Sequence, residues 1–283
     1  MRNLSLQAEL RDGALDVADA SFDARSGRLQ ARASLEPDGG AGRAAIQLVA
    51  RNFAAGMMVQ NRDLLMTANI DINLESTGTN LREILGNANG VFFLDARGGR
   101  IGNNRILDAV YGNLWHEFLG SINPFFEQKS YTDFECIVMP VRFAEGNVTG
   151  VPNSYVATDK VRMSIKSKID LKTEKIEVNV HTTPKKGIAI SAAELTNPYV
   201  KLVGTLASPR LAVDKKGAVT TGGVAVATGG VSILARAAWD RVKGSGDPCG
   251  VVAKDGREAL INLFPDLPVQ ASGQATSTEQ PQQ

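Results

Sequence analysis

One stretch decides the fold of this chain: residues 161–171, Val-Arg-Met-Ser-Ile-Lys-Ser-Lys-Ile-Asp-Leu, in which apolar and polar side chains alternate with Ser167 as the one exception. A β-strand turns successive side chains to opposite faces, so this pattern predicts a strand with one apolar and one polar surface. Such a strand is half-buried, because its polar surface meets water.

The same alternation returns in four other parts of the chain, and short polar turns separate the runs. The turns include residues 11–13, 25–27 and 172–175. Half-buried strands joined by tight turns predict a mainly β protein, built as a meandering antiparallel sheet with a few helices. The apolar positions of these further runs are Leu4, Leu6, Ala8 and Leu10; Leu29, Ala31, Ala33 and Leu35; Ile70, Ile72 and Leu74; and Ile176, Val178 and Val180.

Length and charge narrow the classes of function. The chain has 283 residues, which predicts one or two domains. Its 31 basic residues are balanced by 30 acidic ones, so no overall positive field steers it to nucleic acid. Aromatic residues make up only 6% of the chain and form no stacking motif of the kind that single-strand binders use. We therefore expect no nucleic-acid partner.

Helical periodicity interrupts the strands in three places. Thr79 is a predicted N-cap for a short helix that ends at Gly86 or Gly90, and the following apolar run 91–94 predicts a strand covered on both faces. Residues 104–126 carry the strongest helical pattern, with an apolar stripe wide enough to lie on the apolar side of the sheet. This segment is interpreted as a core helix, with a mobile lid as the alternative. A last short helix is expected at residues 257–263.

An uncharged segment, residues 218–235, lies between clusters of basic residues. It is long enough to span a bilayer, but its glycines and threonines favour an amphipathic or buried helix at the end of the sheet. The flanking basic residues are candidates for contact with a lipid headgroup surface, with ordinary solvated charge as the alternative. These candidates are Lys215, Lys216, Arg236 and Arg241.

The chain divides into four parts. Residues 1–78 are expected to be upstream strands and turns, residues 251–267 a short helical segment and residues 268–283 a disordered tail, while residues 79–250 are expected to be one domain on the family resemblance described below. The chain passes directly from Met1 into a strand, without an export signal. A start in the middle of a sheet favours a piece of a longer polypeptide over a cytosolic protein.

Cys136 and Cys249 are the two cysteines. Two cysteines are too few for a disulfide scaffold or for a zinc site with four thiolates. They either form one disulfide with each other or are two small, buried apolar residues. A bridge would close a loop of about 110 residues and stabilise the fold by about 4–5 kcal/mol in an oxidising compartment.

A search for catalytic motifs predicts no enzyme, no metal site and no cofactor. His116-Glu117 would begin a zinc-protease helix, but Gly120 stands where the second histidine is needed. Gly98, Gly99 and Gly102 do not complete a phosphate-binding loop. No serine has a nucleophile-elbow pattern around it.

Several short phrases, in their order and spacing, resemble the C-terminal domain of the AsmA family. The phrases cover roughly residues 60–250. They are residues 69–78 and 80–91, Arg97-Gly98-Gly99-Arg100-Ile101, Phe134-Glu135-Cys136, Gly146-Asn147-Val148, Leu202-Val203-Gly204-Thr205-Leu206-Ala207-Ser208-Pro209-Arg210-Leu211 and Asp247-Pro248-Cys249.

The resemblance implies a protein of the Gram-negative cell envelope, located in the periplasm and anchored in the inner membrane by a helix that this chain lacks. Family members are thought to form long, curved sheets, or β-grooves, that carry phospholipid acyl chains between membranes and serve outer-membrane biogenesis. The implied partners are phospholipid or another acyl lipid, a membrane surface at the C-terminal end, and envelope proteins.

The alternating strands supply candidate residues for such a groove. An open apolar surface gains about 0.8 kcal/mol for each CH₂ group that it buries, and it needs no ordered polar site. A structural scaffold or adhesin-like module without lipid transfer is the alternative, and a polysaccharide enzyme on a β-helix is disfavoured because the chain shows no fixed repeat. The candidate groove residues are Ile70, Ile72, Leu74, Val161, Met163, Ile165, Ile176, Val178 and Val180.

Overall fold

The computed structural model describes residues 2–24, 27–54, 65–102, 131–185, 199–213 and 245–264. These ranges hold thirteen strands in a single curved sheet and two helices, α1 (Leu81–Gly86) and α2 (Pro248–Leu263). The predicted mainly β, antiparallel class is confirmed. The strands are β1 (Arg2–Arg11), β2 (Ala14–Ala24), β3 (Gly27–Asp38), β4 (Ala41–Ala54), β5 (Leu65–Gly78), β6 (Asn89–Gly102), β7 (Tyr131–Ala144), β8 (Asn147–Gly150), β9 (Ser154–Thr158), β10 (Val161–Asp170), β11 (Lys175–Pro184), β12 (Tyr199–Thr205) and β13 (Pro209–Val213).

The sheet is an antiparallel meander, in which nearly every strand pairs with the next strand of the chain. One position is shared by two short strands. β8 pairs with one end of β7 and β10, and β9 pairs with the other end of both. β8 and β9 therefore act as one interrupted strand, broken at the Val151-Pro152 cis peptide.

Tight turns join the strands where the sequence predicts them. Asp12 and Gly13 between β1 and β2 both have positive φ, the combination that a two-residue hairpin of the observed twist requires. The turn before β11 ends at Glu174, which also has positive φ. The predicted turn at residues 25–27 begins outside the described residues.

The short helix α1 begins one residue later than predicted. Asn80, not Thr79, is its N-cap, because Asn80 is extended and its side-chain oxygen accepts a hydrogen bond of 3.0 Å from the Glu83 backbone N–H. Thr79 instead donates its backbone N–H and its hydroxyl to the Glu83 carboxylate, each at 2.8 Å. Together these contacts form a capping box displaced by one position.

The helix α2 is longer than the segment predicted at residues 257–263. It begins at Pro248, after the N-cap Asp247, whose carboxylate accepts the Gly250 backbone N–H at 2.9 Å. The expected division between residues 250 and 251 therefore falls inside this helix. The expected division between residues 78 and 79 falls between β5 and α1, and the strands on both sides of it belong to one sheet.

The sheet has two chemically different faces. One carries the predicted groove residues and is called the apolar face. The other carries most of the polar partners in the alternation, and α2 packs on it across β6, β7 and β9; it is called the helix face. The expectation that β6 is covered on both sides is confirmed in part, since Val91 and Phe93 are buried beneath α2.

Candidate functional site

The structure places all nine predicted groove residues on the apolar face. Strand register shows that these residues share one surface. Ile70 of β5 is opposite Leu94 of β6, and Leu94 is opposite Met139 of β7. Two residues earlier on β7, Ile137 is opposite Val156 of β9, which continues to Met163 of β10. Since alternate residues of a strand share a face, the predicted residues of β5, β10 and β11 lie on one continuous surface.

The apolar face extends well beyond the nine predicted residues. It reaches β1 through Ala50, Leu29 and Phe22 to Leu4, and it reaches β13 through Leu202 and Leu211. Two packed clusters lie on it, one around Ala68 and one around Met163, and both contact Phe134 and Ile137. The apolar surface therefore crosses the described sheet from edge to edge. The alternating pattern marks most of these positions, but only strand register shows that they join.

Exposure changes along this face. On β1, Leu4, Leu6 and Leu10 are 79%, 69% and 75% exposed, and Ile46 of β4 is 38% exposed. On β10, Val161 and Met163 are 0% and 5% exposed. Of the other predicted residues, Ile176 and Val180 are buried, and Ile70, Ile72, Leu74, Ile165 and Val178 are half-buried. The face is thus open on its first strands and packed on β10 and β11.

The helix α1 lies over one end of the apolar face. Ser76 shares this face with Leu74, and its hydroxyl donates to the Ile84 carbonyl. A Cβ placed on Gly78 would lie 2.6 Å from the Ile84 backbone nitrogen, so the helix needs glycine there. Arg82 forms a salt bridge with Glu174, in the turn between β10 and β11. Among the described elements, α1 is the one that covers this face.

On the helix face, a disulfide joins α2 to the sheet. Cys136 of β7 and Cys249 of α2 are bonded at 2.09 Å, which settles the open choice between a bridge and two buried thiols. Around the bond, Val138, Tyr155 and Leu260 form a buried cluster. Burial raises the pKa of Tyr155 to about 12, so its hydroxyl stays neutral at physiological pH.

A buried ion network holds the other half of α2. The Asp71 carboxylate accepts hydrogen bonds from Arg51 of β4 and from Arg257 of α2. The Arg257 guanidinium also lies 4.3 Å from the centre of the Phe93 ring, a cation–π distance. Asp71 is 5% exposed. Asp71 therefore links α2 to β4 and β5 and fixes the position of the helix on the sheet.

Arg97 completes the attachment of α2 at its first turn. Its guanidinium bonds to the Asp95 carboxylate on the same strand and donates to the Cys249 carbonyl at 3.1 Å. The carboxylate of the N-cap residue Asp247 lies 3.7 Å from a terminal nitrogen of the same Arg97 guanidinium. Sequence reasoning missed Asp71, Arg97 and Arg257, because each is a charged residue in a polar position of its strand or helix, which ordinarily faces solvent.

Several predictions lie outside the described residues. They include the helix at residues 104–126, the uncharged segment 218–235, and the basic candidates Lys215, Lys216, Arg236 and Arg241. Across the described ranges, no helix has both the length and the apolar character needed to cross a membrane. In the same ranges, His, Cys, Asp and Glu side chains form no group of three or more that would hold a metal ion.

Comparison of the chain with protein-family models, with curated proteins and with solved structures found no match. The AsmA-like resemblance therefore stays a prediction from the quoted phrases. The function has to be argued from the site itself, whose dominant feature is an apolar face that is open on one half of the sheet and packed on the other.

Proposed function

We propose that the chain is a non-enzymatic lipid-handling protein, which holds the acyl chains of phospholipid on the apolar face of its sheet. The observation that carries this proposal is the edge-to-edge continuity of that face, together with the exposure of Leu4, Leu6, Leu10 and Ile46. Contiguous exposed apolar surface of this size marks a place where a soluble protein meets another apolar body.

The dimensions of the face suit hydrocarbon chains. Twelve strand positions at about 4.8 Å give a surface about 50 Å long, measured across the strands. Each CH₂ group that leaves water for this surface gains about 0.8 kcal/mol, so an acyl chain is held without any polar contact. Chemistry of this kind requires no catalytic residue.

Two features support a direction along the face. The first strands are open, and the packed half around Met163 and Val180 has no comparable exposure. The helix α1 covers one end of β5, and its Arg82 forms a salt bridge with Glu174 in the β10–β11 turn. We infer that acyl chains enter along β1–β4.

A periplasmic location is part of the proposal, in an envelope assembly of a Gram-negative bacterium that is anchored in the inner membrane. The Cys136–Cys249 disulfide supports an oxidising compartment, because such bonds persist outside the cytosol. The anchor and the role in outer-membrane biogenesis rest on the family resemblance alone.

The packed half favours a second candidate, a structural β-scaffold of the envelope without lipid transfer. Val161, Met163, Val180 and Val200 pack against one another and leave no open surface at their positions. A scaffold would use the exposed aliphatic side chains of β1–β4 to contact protein instead of lipid.

The test is lipid binding by an exposed-face variant. Leu35→Glu with Ile46→Glu places two charges on the open half, where the wild-type side chains are 42% and 38% exposed. We expect loss of co-purified phospholipid, read by mass spectrometry, and loss of binding of a fluorescent fatty acid. Met163 and Ile165 are less suitable, since a charge at the buried Met163 would unfold the protein.

The matched control places the same two charges on the other face of the same strands. Gln30→Glu with Gln47→Glu alters exposed residues whose neighbours on the strand face the apolar side. The control should keep wild-type lipid content. If the folded Leu35→Glu, Ile46→Glu variant keeps it as well, or if the wild type carries no lipid, the scaffold is the better account.

A further inference from the structure

The helix face of β10–β13 carries a concentration of positive charge. Lys168 is opposite Glu177, which is opposite Val203 and then Arg210. Lys166 lies in the neighbouring row with Asn179 and Lys201. We call the following set the basic patch: Arg162, Lys166, Lys168, Lys175, Lys201 and Arg210.

Two carboxylates, Glu177 and Asp170, stand among the six basic residues of the patch, so the basic residues outnumber them. Glu177 pairs with Lys201 at 2.8 Å, and hydrogen bonding from this lysine holds the pKa of Glu177 below its ordinary value. Asp170 is opposite Lys175, and hydrogen bonds from the Thr173 hydroxyl and from the Thr173 and Lys172 backbone N–H groups lower its pKa, so it offsets one positive charge of the patch. Within the described part of the chain, Lys166, Lys168, Lys175 and Arg210 form no salt bridge, and all four are exposed.

The opposite end of the same face is different. On β1–β4, arginines stand beside carboxylates, as in the pairs Arg11–Glu9, Arg28–Asp23 and Arg43–Asp38. The net charge of the whole chain is near zero, but charge is unevenly distributed on the helix face. Basic and acidic residues are balanced on β1–β4, and basic residues are in excess on β10–β13.

We propose that the basic patch docks the protein on the anionic surface of a phospholipid bilayer. The argument is charge complementarity. Lysine and arginine attract an anionic leaflet even without specific contacts, and the attraction grows with the number of basic residues near the surface. The patch stands on the broad side of a sheet, with its charges spread over four strands, so it matches an extended charged surface better than a single phosphate.

The contacts of α2 leave this surface accessible. The helix packs over β6, β7 and β9, next to the patch and not on it. Because successive side chains point to opposite faces, Lys166 and Lys168 turn away from the apolar face that carries Ile165. Docking through the patch and hydrocarbon contact therefore use opposite sides of the sheet, and this inference goes beyond the proposed lipid binding without depending on it.

The test is sedimentation of the full chain with vesicles of phosphatidylcholine, alone and mixed with phosphatidylglycerol. The wild type should bind the mixed vesicles and not the neutral ones. The binding should disappear when the salt is raised from about 0.1 M to about 1 M, since screening shortens the reach of the charges from about 10 Å to about 3 Å. The triple variant Lys166→Gln, Lys168→Gln, Arg210→Gln should lose about 100-fold in partitioning, roughly fivefold per charge.

The matched control removes three charges from the balanced end of the same face. Arg28→Gln, Arg32→Gln, Arg43→Gln changes the net charge equally and should keep wild-type partitioning. The proposal is overturned if the control loses as much as the triple variant, if neutral vesicles bind equally well, or if the patch binds a single-stranded oligonucleotide and not the mixed vesicles. Fatty-acid binding by the triple variant, measured separately, should be unchanged, which keeps this test distinct from that of the apolar face.

Discussion

Asp71 on β5 and Arg257 on α2 are separated by 186 residues, yet the Arg257 guanidinium donates to the Asp71 carboxylate at 3.0 Å. Their side chains are 7% and 15% exposed, so the pair is withdrawn from water. A buried carboxylate with two arginine partners is costly to disrupt, because removal of one member leaves the others charged and unpaired. The pair therefore fixes where α2 lies on the sheet.

Replacing the carboxylate should weaken the fold strongly. Asp71→Ala leaves Arg51 and Arg257 without their shared partner, and we expect the free energy of unfolding to fall by about 3–5 kcal/mol. Urea denaturation followed by circular dichroism measures it. Asp38→Ala, which breaks the exposed pair with Arg43, is the control and should cost at most about 1 kcal/mol. Equal effects of the two variants would show that the Asp71 network adds nothing to stability.

Loss of the disulfide should also destabilise the protein. The bond joins residues 113 apart, and the chain-entropy estimate for a loop of this size is about 4–5 kcal/mol. We expect Cys136→Ala with Cys249→Ala to lower the urea midpoint, and a reductant to lower the midpoint of the wild type but not of the variant. A wild type that is insensitive to reductant once unfolded would contradict the bond.

The variant Gly256→Ala tests whether α2 packs on the sheet, because a packed and an unpacked helix predict opposite changes in the free energy of unfolding. In an undocked helix, Gly256→Ala would stabilise by about 1 kcal/mol through helix propensity. In the structure a Cβ at this position would lie 2.7 Å from the Pro140 Cγ atom, closer than side chains pack. We therefore expect destabilisation by about 1–3 kcal/mol in urea denaturation.

Asn262→Ala is the control for this change. Asn262 is an exposed residue of the same helix, so alanine there should be neutral or slightly stabilising. If both alanine variants stabilise the protein, α2 does not pack on β7 as described.

Acidic pH should weaken the fold through carboxylates that accept hydrogen bonds. Thr79 lowers the pKa of Glu83 through its backbone N–H and hydroxyl, and the bond from Lys201 lowers the pKa of Glu177. A carboxylate with a lowered folded pKa stabilises above its unfolded pKa of about 4.5, and this contribution is lost as the pH falls through the folded value. Urea midpoints should drop between about pH 5 and about pH 3.

The variant Glu177→Gln separates this contribution from general acid unfolding. It should show a smaller drop over the same pH interval than the wild type, because one of the titrating groups is gone. An identical pH profile for the two proteins would remove Glu177 from the account.

The local signals in the sequence predicted more of the sheet than of the helices. Alternation at residues 161–171 and 176–180 predicted strands and the face of each residue, since the period of two is a property of the chain itself. Thr79 was a wrong N-cap, because both Thr79 and Asn80 suit that role and only backbone geometry distinguishes them. The start of α2 was also missed, although Asp247-Pro248 is a common helix beginning.

Asp71, Arg97 and Arg257 show why the attachment of α2 was beyond sequence reasoning. Each is a charged residue in a polar position of its element, which is the ordinary pattern of a solvated surface. Their contacts depend on a helix that is distant in the chain, since Arg257 meets Asp71 across 186 residues and Arg97 meets the Cys249 carbonyl across 152. One signal was available, since the unbroken apolar run at residues 91–94 already indicated cover on both sides of β6.

By itself, the sequence determined which side chains of this protein share a face, because alternation along a strand follows from backbone geometry alone. Tertiary structure decided three things that no local pattern contains: that the apolar positions of successive strands join into one surface, that Cys136 meets Cys249, and that α2 covers the helix face and leaves the apolar face free of it. Each depends on register or on contacts between distant segments, whose free energy is gained only when the whole sheet has formed.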